Sequence, residues 1–258
     1  MVKSIALAPP GPAPAAGQGR YAGRGIGLQR SAMALPRPVK AVVFDMDGLL
    51  VDTETVVWRA MQRAAGSLGG EMPFSTFQRM VGLTHAAGDR ILIDHFGDGF
   101  DLGAWSAAVS AHFREEVTAG IALKSGVLEI LDALDALALP RAIATSSSLD
   151  AVRLSLGPHS LVDRFHALIT RDVQTNGKPH PEPFLKAAEA LGVDPAHCLA
   201  LEDSHNGVRA AAAAGMMTVM VPDMLDPTEE METLCVRIAR DLHEVRGWLG
   251  GVRRGLRA

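Results

Sequence analysis

Two aspartates, Asp45 and Asp47, close a short apolar run, AVVF, and Gly48 follows at once. An extended chain alternates its side chains between two faces, so residues two apart share a side, and a glycine directly after them lets the backbone turn sharply. Two carboxylates on one side repel unless a cation lies between them or one holds a proton. Either state is useful: one carboxylate can attack an electrophile such as phosphorus while the other handles a proton. D-x-D pairs are also common in surface loops. This pair is set apart by its place at the end of an apolar strand.

Three later segments carry further residues suited to phosphate, two of them at the ends of apolar runs and one in a loop. RAIATSS carries Thr145 and Ser146, whose hydroxyls and free backbone N–H groups suit a phosphate oxygen at the start of a helix; one of the hydroxyls could equally serve as a helix N-cap. Lys178, in NGKPHPEPF, precedes a proline and cannot continue a helix, so its ammonium group is presented from a loop stiffened by Pro179 and Pro181. Taken singly it reads as a solvated surface lysine. CLALED ends in Glu202 and Asp203, adjacent carboxylates of the kind a hard cation such as magnesium takes with water, and Ser204 is placed to cap the next helix.

These residues need a scaffold that brings strand ends together. AVVFD, RAIATSS, CLALED, MMTVMV (216–221) and the weaker HALIT (166–170) read as strands buried on both faces. Helical patterns at 125–137, 180–192 and 204–215 lie between them. Strands alternating with helices predict an α/β fold, a doubly wound parallel Rossmann-like sheet. Residues 54–122 break the alternation, with apolar residues at three- and four-residue spacings and no convincing strand. They predict an inserted all-helical cap over the carboxyl edge of the sheet, where open α/β folds bind ligands. The expected organisation is a core of 39–53 and 123–250, a cap of 54–122, and tails at 1–38 and 251–258. Aromatic residues of the cap (Trp58, Phe74, Phe77, Trp105) read as core.

Composition narrows the partners. The chain has 258 residues and a net charge of -4, which gives no electrostatic reason to expect nucleic acid or an anionic membrane. No apolar stretch approaches the roughly 20 residues needed to span a bilayer. Cys198 and Cys235 stand far apart without a C-x-x-C pattern, so both read as small apolar packers in a reduced, cytoplasmic protein. Residues 1–38 contain no acid and are rich in Pro, Gly and Ala, which reads as a tail. A transit peptide, or a true start at Met33, are the alternatives.

Taken together, DMDGLLVDTE (45–54), AIATSSS (142–148), GKPHPEPF (177–184) and LEDSHNGVRAAAAAG (201–215) resemble the four motifs of the haloacid dehalogenase superfamily, in its helical-cap subgroup. The resemblance implies a phosphatase that uses Mg2+ and an aspartyl-phosphate. Asp45 would be the nucleophile and Asp47 the acid and base; Thr145 would hold a phosphate oxygen and Lys178 would balance charge. The metal would be held by the Asp45 carboxylate, the Asp47 carbonyl and Asp203, with Glu202 in support. The substrate would be a small phosphorylated metabolite, a sugar phosphate or nucleotide-like monoester, and the chain is expected to act as a monomer.

Relatives lacking Asp47 cleave halides or phosphonates. Similar β-phosphoglucomutases carry a histidine where this chain has Val57 and a cap-loop arginine where it has His85, so a phosphosugar mutase is the second reading. Gly82, Thr84 and His85 form the expected substrate loop, and Ser146 is a further expected substrate-binding residue, although His85 could equally be a surface residue or helix cap. Two departures from the family pattern are the longer DVQTNGK loop and Glu182 where an aspartate is usual.

Overall fold

The computed structural model describes residues 35–249, apart from 82 and 84. Six short strands form one sheet: β1 (Ala41–Phe44), β2 (Arg141–Ala144), β3 (Ala167–Ile169), β4 (Cys198–Glu202), β5 (Met217–Met220) and β6 (Arg237–Ile238). All five strand pairings are parallel, in the order β3-β2-β1-β4-β5-β6. The chain winds outward from β1 in both directions, so the order reverses beside β1. Such a switch point leaves a crevice at the carboxyl ends of the strands. The expected doubly wound α/β sheet is therefore present, with β6 added at its edge.

Side-chain alternation along β1 sets up two different faces. Val42 and Phe44, followed by Met46, join a cluster of large residues with α5 (Val127–Leu137) and α10 (Leu242–Leu249). Ala41 and Val43 face a layer of small residues, where α7 (Glu182–Leu191) and α8 (His205–Ala213) pack through Phe184, Ala187, Ala188, Ala210 and Ala211. Helix α5 buries Val127, Ile130, Leu131 and Leu134, each contributing roughly 1.5–3 kcal/mol. Because Met46 is drawn into the first cluster, Asp45 and Asp47 are left free of it. Cys198 is buried within β4 and Cys235 packs beside Val208 and Met231, both as free thiols; burial pushes each up to about 11.

Between β1 and α5 the chain forms four helices: α1 (Thr53–Ser67), α2 (Phe74–Met80), α3 (His85–Phe96) and α4 (Leu102–Ala119). Trp58, Phe77 and Trp105 are buried in their shared core, with Phe74 packed against it. The chain enters and leaves this cap side by side: Asp52 N–H donates to the Ala122 carbonyl at 2.9 Å and Lys124 N–H to that of Leu50 at 3.0 Å. Asp52 then caps α1, accepting from Thr55 N–H.

Residues 1–34 and 250–258, which hold most of the expected tails, lie outside the described residues. Residues 35–38 run along the core, where Leu35 packs against the main cluster and Arg37 donates to the Gly215 carbonyl. No helix among the described residues is long and apolar enough to cross a membrane.

Candidate active site

Strand register decides which side chains meet. Phe44 is level with Ile143 of β2 and Leu201 of β4, so the residues after each strand emerge together. Asp45 is fixed by its N–H, which donates to the Leu201 carbonyl at 2.9 Å, and Thr145 by a 3.0 Å bond to Ile169. Helix α6 (Leu149–Leu156) starts just beyond, capped by Ser148, which accepts from Ala151 N–H. Ser204 caps α8 by accepting from Gly207 N–H at 3.1 Å. Both turns are thereby held next to the strand ends.

Lys178 is the hub. Its ammonium group donates to Asp45 Oδ1 and Glu202 Oε1, each at 2.5 Å, and lies over the Phe184 ring at 5.2 Å. Its side chain is only 7% exposed, so the surface-lysine reading is overturned: two carboxylates compensate the burial of its charge. Burial alone would lower its pKa, but Asp45 and Glu202 outweigh it and hold the lysine above its usual range. Burial pushes Asp45 up to about 8, against the pull of Lys178 and with the repulsion of Glu202 and Asp47.

Asp47 receives two hydroxyls. Ser147 Oγ donates to its Oδ2 at 2.7 Å and Thr145 Oγ1 at 3.3 Å, while Ser147 N–H donates back to Thr145 Oγ1 at 3.0 Å. Ser147, rather than the exposed Ser146, is the serine turned toward Asp47. The run of three serines made any of them eligible, and only the turn geometry selects one.

The acids fit a hard cation. Asp45, Glu202 and Asp203 bring carboxylate oxygens within 4.8 Å of one another. Three carboxylates face the single ammonium of Lys178, a charge deficit suited to a divalent ion with oxygen ligands. Burial, then Asp45 and Glu202, raise Asp203 well above the ordinary carboxylate range. Gly48, at φ +83°, leaves room there: a Cβ would stand 2.3 Å from Asp203 Oδ2. Glu202 is spent on other partners, since its Oε2 accepts from Asp203 N, Ser204 N and Ser204 Oγ at 3.2, 3.2 and 3.0 Å.

Asp223, its partner Lys124 and Glu54 were not singled out by sequence. Asp223 follows β5, and strand-end position was the signal that could have found it. Its Oδ1 accepts from Lys124 at 2.6 Å, while its Oδ2 is buried without a partner. Glu54, at the start of α1, is pushed up to about 7 by burial and by Asp223, Asp47 and Asp52. It lines a cavity of about 430 Å³ within the cap. Of the expected substrate loop, Gly82 and Thr84 lie outside the described residues, and His85 is the first residue of α3.

Comparison with known proteins agrees with this geometry. Residues 39–215 match the haloacid dehalogenase-like hydrolase family. A Drosophila melanogaster protein named "Probable pseudouridine-5'-phosphatase" is 36% identical over 193 residues, 72% of this chain and 83% of that protein. Hexitol phosphatase B of Escherichia coli is 34% identical over 200 residues, 74% of this chain and 86% of that protein. A solved HAD family hydrolase of Deinococcus radiodurans, with bound phosphate and sodium, superimposes with a TM-score of 0.74 at 26% identity, covering 84% of this chain and 97% of that one. A family match over most of the sheet-forming sequence and relatives of this identity and coverage lead to one assignment: the chain belongs to the haloacid dehalogenase-like hydrolase family.

Proposed function

We propose that this hydrolase is a magnesium-dependent phosphatase acting on a small phosphomonoester, a sugar phosphate or nucleotide-like compound, through an aspartyl-phosphate on Asp45. The observation that carries the reading is Lys178, buried between Asp45 and Glu202 at 2.5 Å from each, with Asp47 beside them under two hydroxyls. Phosphoryl transfer asks chiefly for positioning and positive charge, and this arrangement offers both. The names of the phosphatase relatives support the substrate class. The unpaired thiols suit a reducing, cytoplasmic setting.

In this reading Asp45 attacks phosphorus, and Lys178 steadies both its carboxylate and the phosphoryl oxygens. Asp47, oriented by Ser147 and Thr145, protonates the leaving oxygen and then accepts a proton from the water that hydrolyses the intermediate. Asp45, Asp203 and the Asp47 carbonyl would hold the metal, with Glu202 fixing Lys178 and the Asp203–Ser204 turn. The bound ion would supply the positive charge that keeps Asp45 ionised and offsets charge on the transferring group. Val57 lines the cap cavity and carries no group able to shuttle a proton, which favours hydrolysis over a mutase.

The test is phosphate release with Mg2+ across a panel of phosphomonoesters, alongside Asp45→Asn. Wild type should release phosphate and the variant should not. Equal release by the two across the whole panel would refute the proposal, and isomerised product by NMR with little free phosphate would establish the mutase instead.

A further inference from the structure

The cap cavity is walled mainly by apolar side chains, Val57, Phe77, Leu92 and Trp105 among them, while Glu54 and Asp89 are its charged lining. Among the described residues, no lysine or arginine lines it. The arginines of residues 53–119 are Arg59, Arg63, Arg79, Arg90 and Arg114, and every one is exposed. Arg63 is held by Glu115 and Glu116, and Arg114 turns back to the Ser110 carbonyl. Lys124, at the cap hinge, is already paired with Asp223 at 2.6 Å and lies 4.0 Å from Asp52.

Glu54 links the cavity to the acid cluster: it lines the cavity wall and also lies within the electrostatic reach of Asp47, Asp52 and Asp223. A leaving group extending from a phosphoryl group at Asp45 into the cap therefore passes Glu54. A hydroxyl there donates to the carboxylate. A second phosphate or a carboxylate meets two acids and no cation.

We infer that the cap cavity receives the leaving group and selects an uncharged, hydroxyl-bearing one, with Glu54 accepting a hydroxyl hydrogen bond, and that it turns away bisphosphates and carboxylated phosphomonoesters. This rests on the phosphatase reading above. The volume, about 430 Å³, falls in the range of small-molecule sites, and the apolar wall suits the carbon face of a sugar, a polyol or a nucleoside. Like charges about 6 Å apart at an effective dielectric near 20 correspond to a discrimination of roughly 100-fold, and water in the cavity reduces this toward 10-fold.

The experiment measures kcat/KM at about pH 8.5, above the value of about 7 to which Glu54 is raised, for matched pairs: a hexose 6-phosphate against the 1,6-bisphosphate, and glycerol phosphate against phosphoglycolate. In wild type the uncharged member of each pair should be favoured by roughly 10- to 100-fold. In Glu54→Gln the ratio should narrow, through a rise in kcat/KM for the anionic member relative to the neutral one. Equal turnover within both pairs by wild type would overturn the inference while leaving the phosphatase reading intact, and so would an unchanged ratio in Glu54→Gln. Turnover of no phosphomonoester at all would overturn both. The wild-type ratios decide the question even if the variant fails to fold.

Discussion

Gly207→Ala tests the placement of Glu202 and Lys178 with a single methyl group. Gly207 lies on the first turn of α8, and a Cβ there would stand 1.8 Å from Glu202 Oε1, 1.9 Å from its Cδ and 2.1 Å from Oε2. Glu202 has little freedom to yield, being fully buried and bonded to Lys178, to the amides of Asp203 and Ser204, and to Ser204 Oγ. Forcing bulk into a packed site costs about 1–3 kcal/mol, and parting a buried ion pair costs up to about 3–5 kcal/mol. The helix preference for alanine over glycine returns only about 1 kcal/mol. A small shift of α8 relieves part of the strain, so the net loss should be about 3 kcal/mol. Activity should fall roughly 100-fold, as a misplaced Lys178 forfeits about 2.7 kcal/mol of stabilisation of the phosphoryl group. Gly247→Ala is the control: Gly247 lies in α10, and a Cβ added there would meet nothing within 4 Å, so the same change should stabilise by about 0.5–1 kcal/mol. Urea unfolding followed by circular dichroism and phosphate-release kinetics check both variants. If Gly207→Ala unfolds within about 0.5 kcal/mol of wild type, the scatter of a neutral surface change, and keeps its kcat, the packing of Gly207 against Glu202 is wrong.

Two other changes probe the hydroxyls and the lysine loop. Ser147→Ala removes the 2.7 Å hydrogen bond to Asp47, and a bond to a charged group is worth about 1.5–3 kcal/mol. Its kcat should drop about 10- to 100-fold with KM changed less, and Ser147→Thr should restore much of the rate; an unaltered kcat in the alanine variant would refute the orienting role. Glu182 accepts from Thr175 N, Asn176 N and Asn176 Nδ2 at 2.7, 2.8 and 2.9 Å and pairs with Lys186 at 2.7 Å. Lys186 and these amides pull its pKa down to about 2, from an ordinary 4.5. A folded pKa below the unfolded one stabilises above the unfolded value and is lost as pH falls toward the folded one. The stability advantage of wild type over Glu182→Gln should therefore be full at pH 7 and shrink between about pH 5 and 2, measured from urea midpoints; a gap independent of pH would refute the assignment.

The strand ends were legible because their information is local. An apolar run ending in acid or hydroxyl specifies both a buried strand and the chemistry at its tip, so Asp45, Asp47, Thr145, Glu202 and Asp203 could be picked out one by one. Lys178 could be found but not weighed, because its burial comes from Asp45 and Glu202, which reach it only through the fold. Ser147 meets Asp47 across a separation of 100 residues and Lys124 meets Asp223 across 99; no periodicity connects such partners. β6 is two residues long, too short to carry a period. The unusual Glu182 and the lengthened loop before Lys178 looked like two unrelated departures. In the structure they meet: the glutamate carboxylate accepts from the loop at Thr175 and Asn176.

The adjacent acids Glu202 and Asp203 look interchangeable in sequence, but the structure gives them different tasks. Glu202 is fully buried, and both its oxygens already accept from lysine, backbone and serine donors. A carboxylate so held anchors the positive charge of Lys178 beside Asp45. Asp203 stands at the crevice against Gly48, its pKa raised by burial first and then by Asp45, Glu202 and Asp223. Its repulsion is relieved only by a proton or a cation. The two carboxylates bring oxygens within 4.8 Å of each other but differ in their partners, so one strand end supplies a fixed structural charge and an available ligand at once. A single carboxylate could not do both, because the donors that hold Glu202 in place occupy the lone pairs a metal would need.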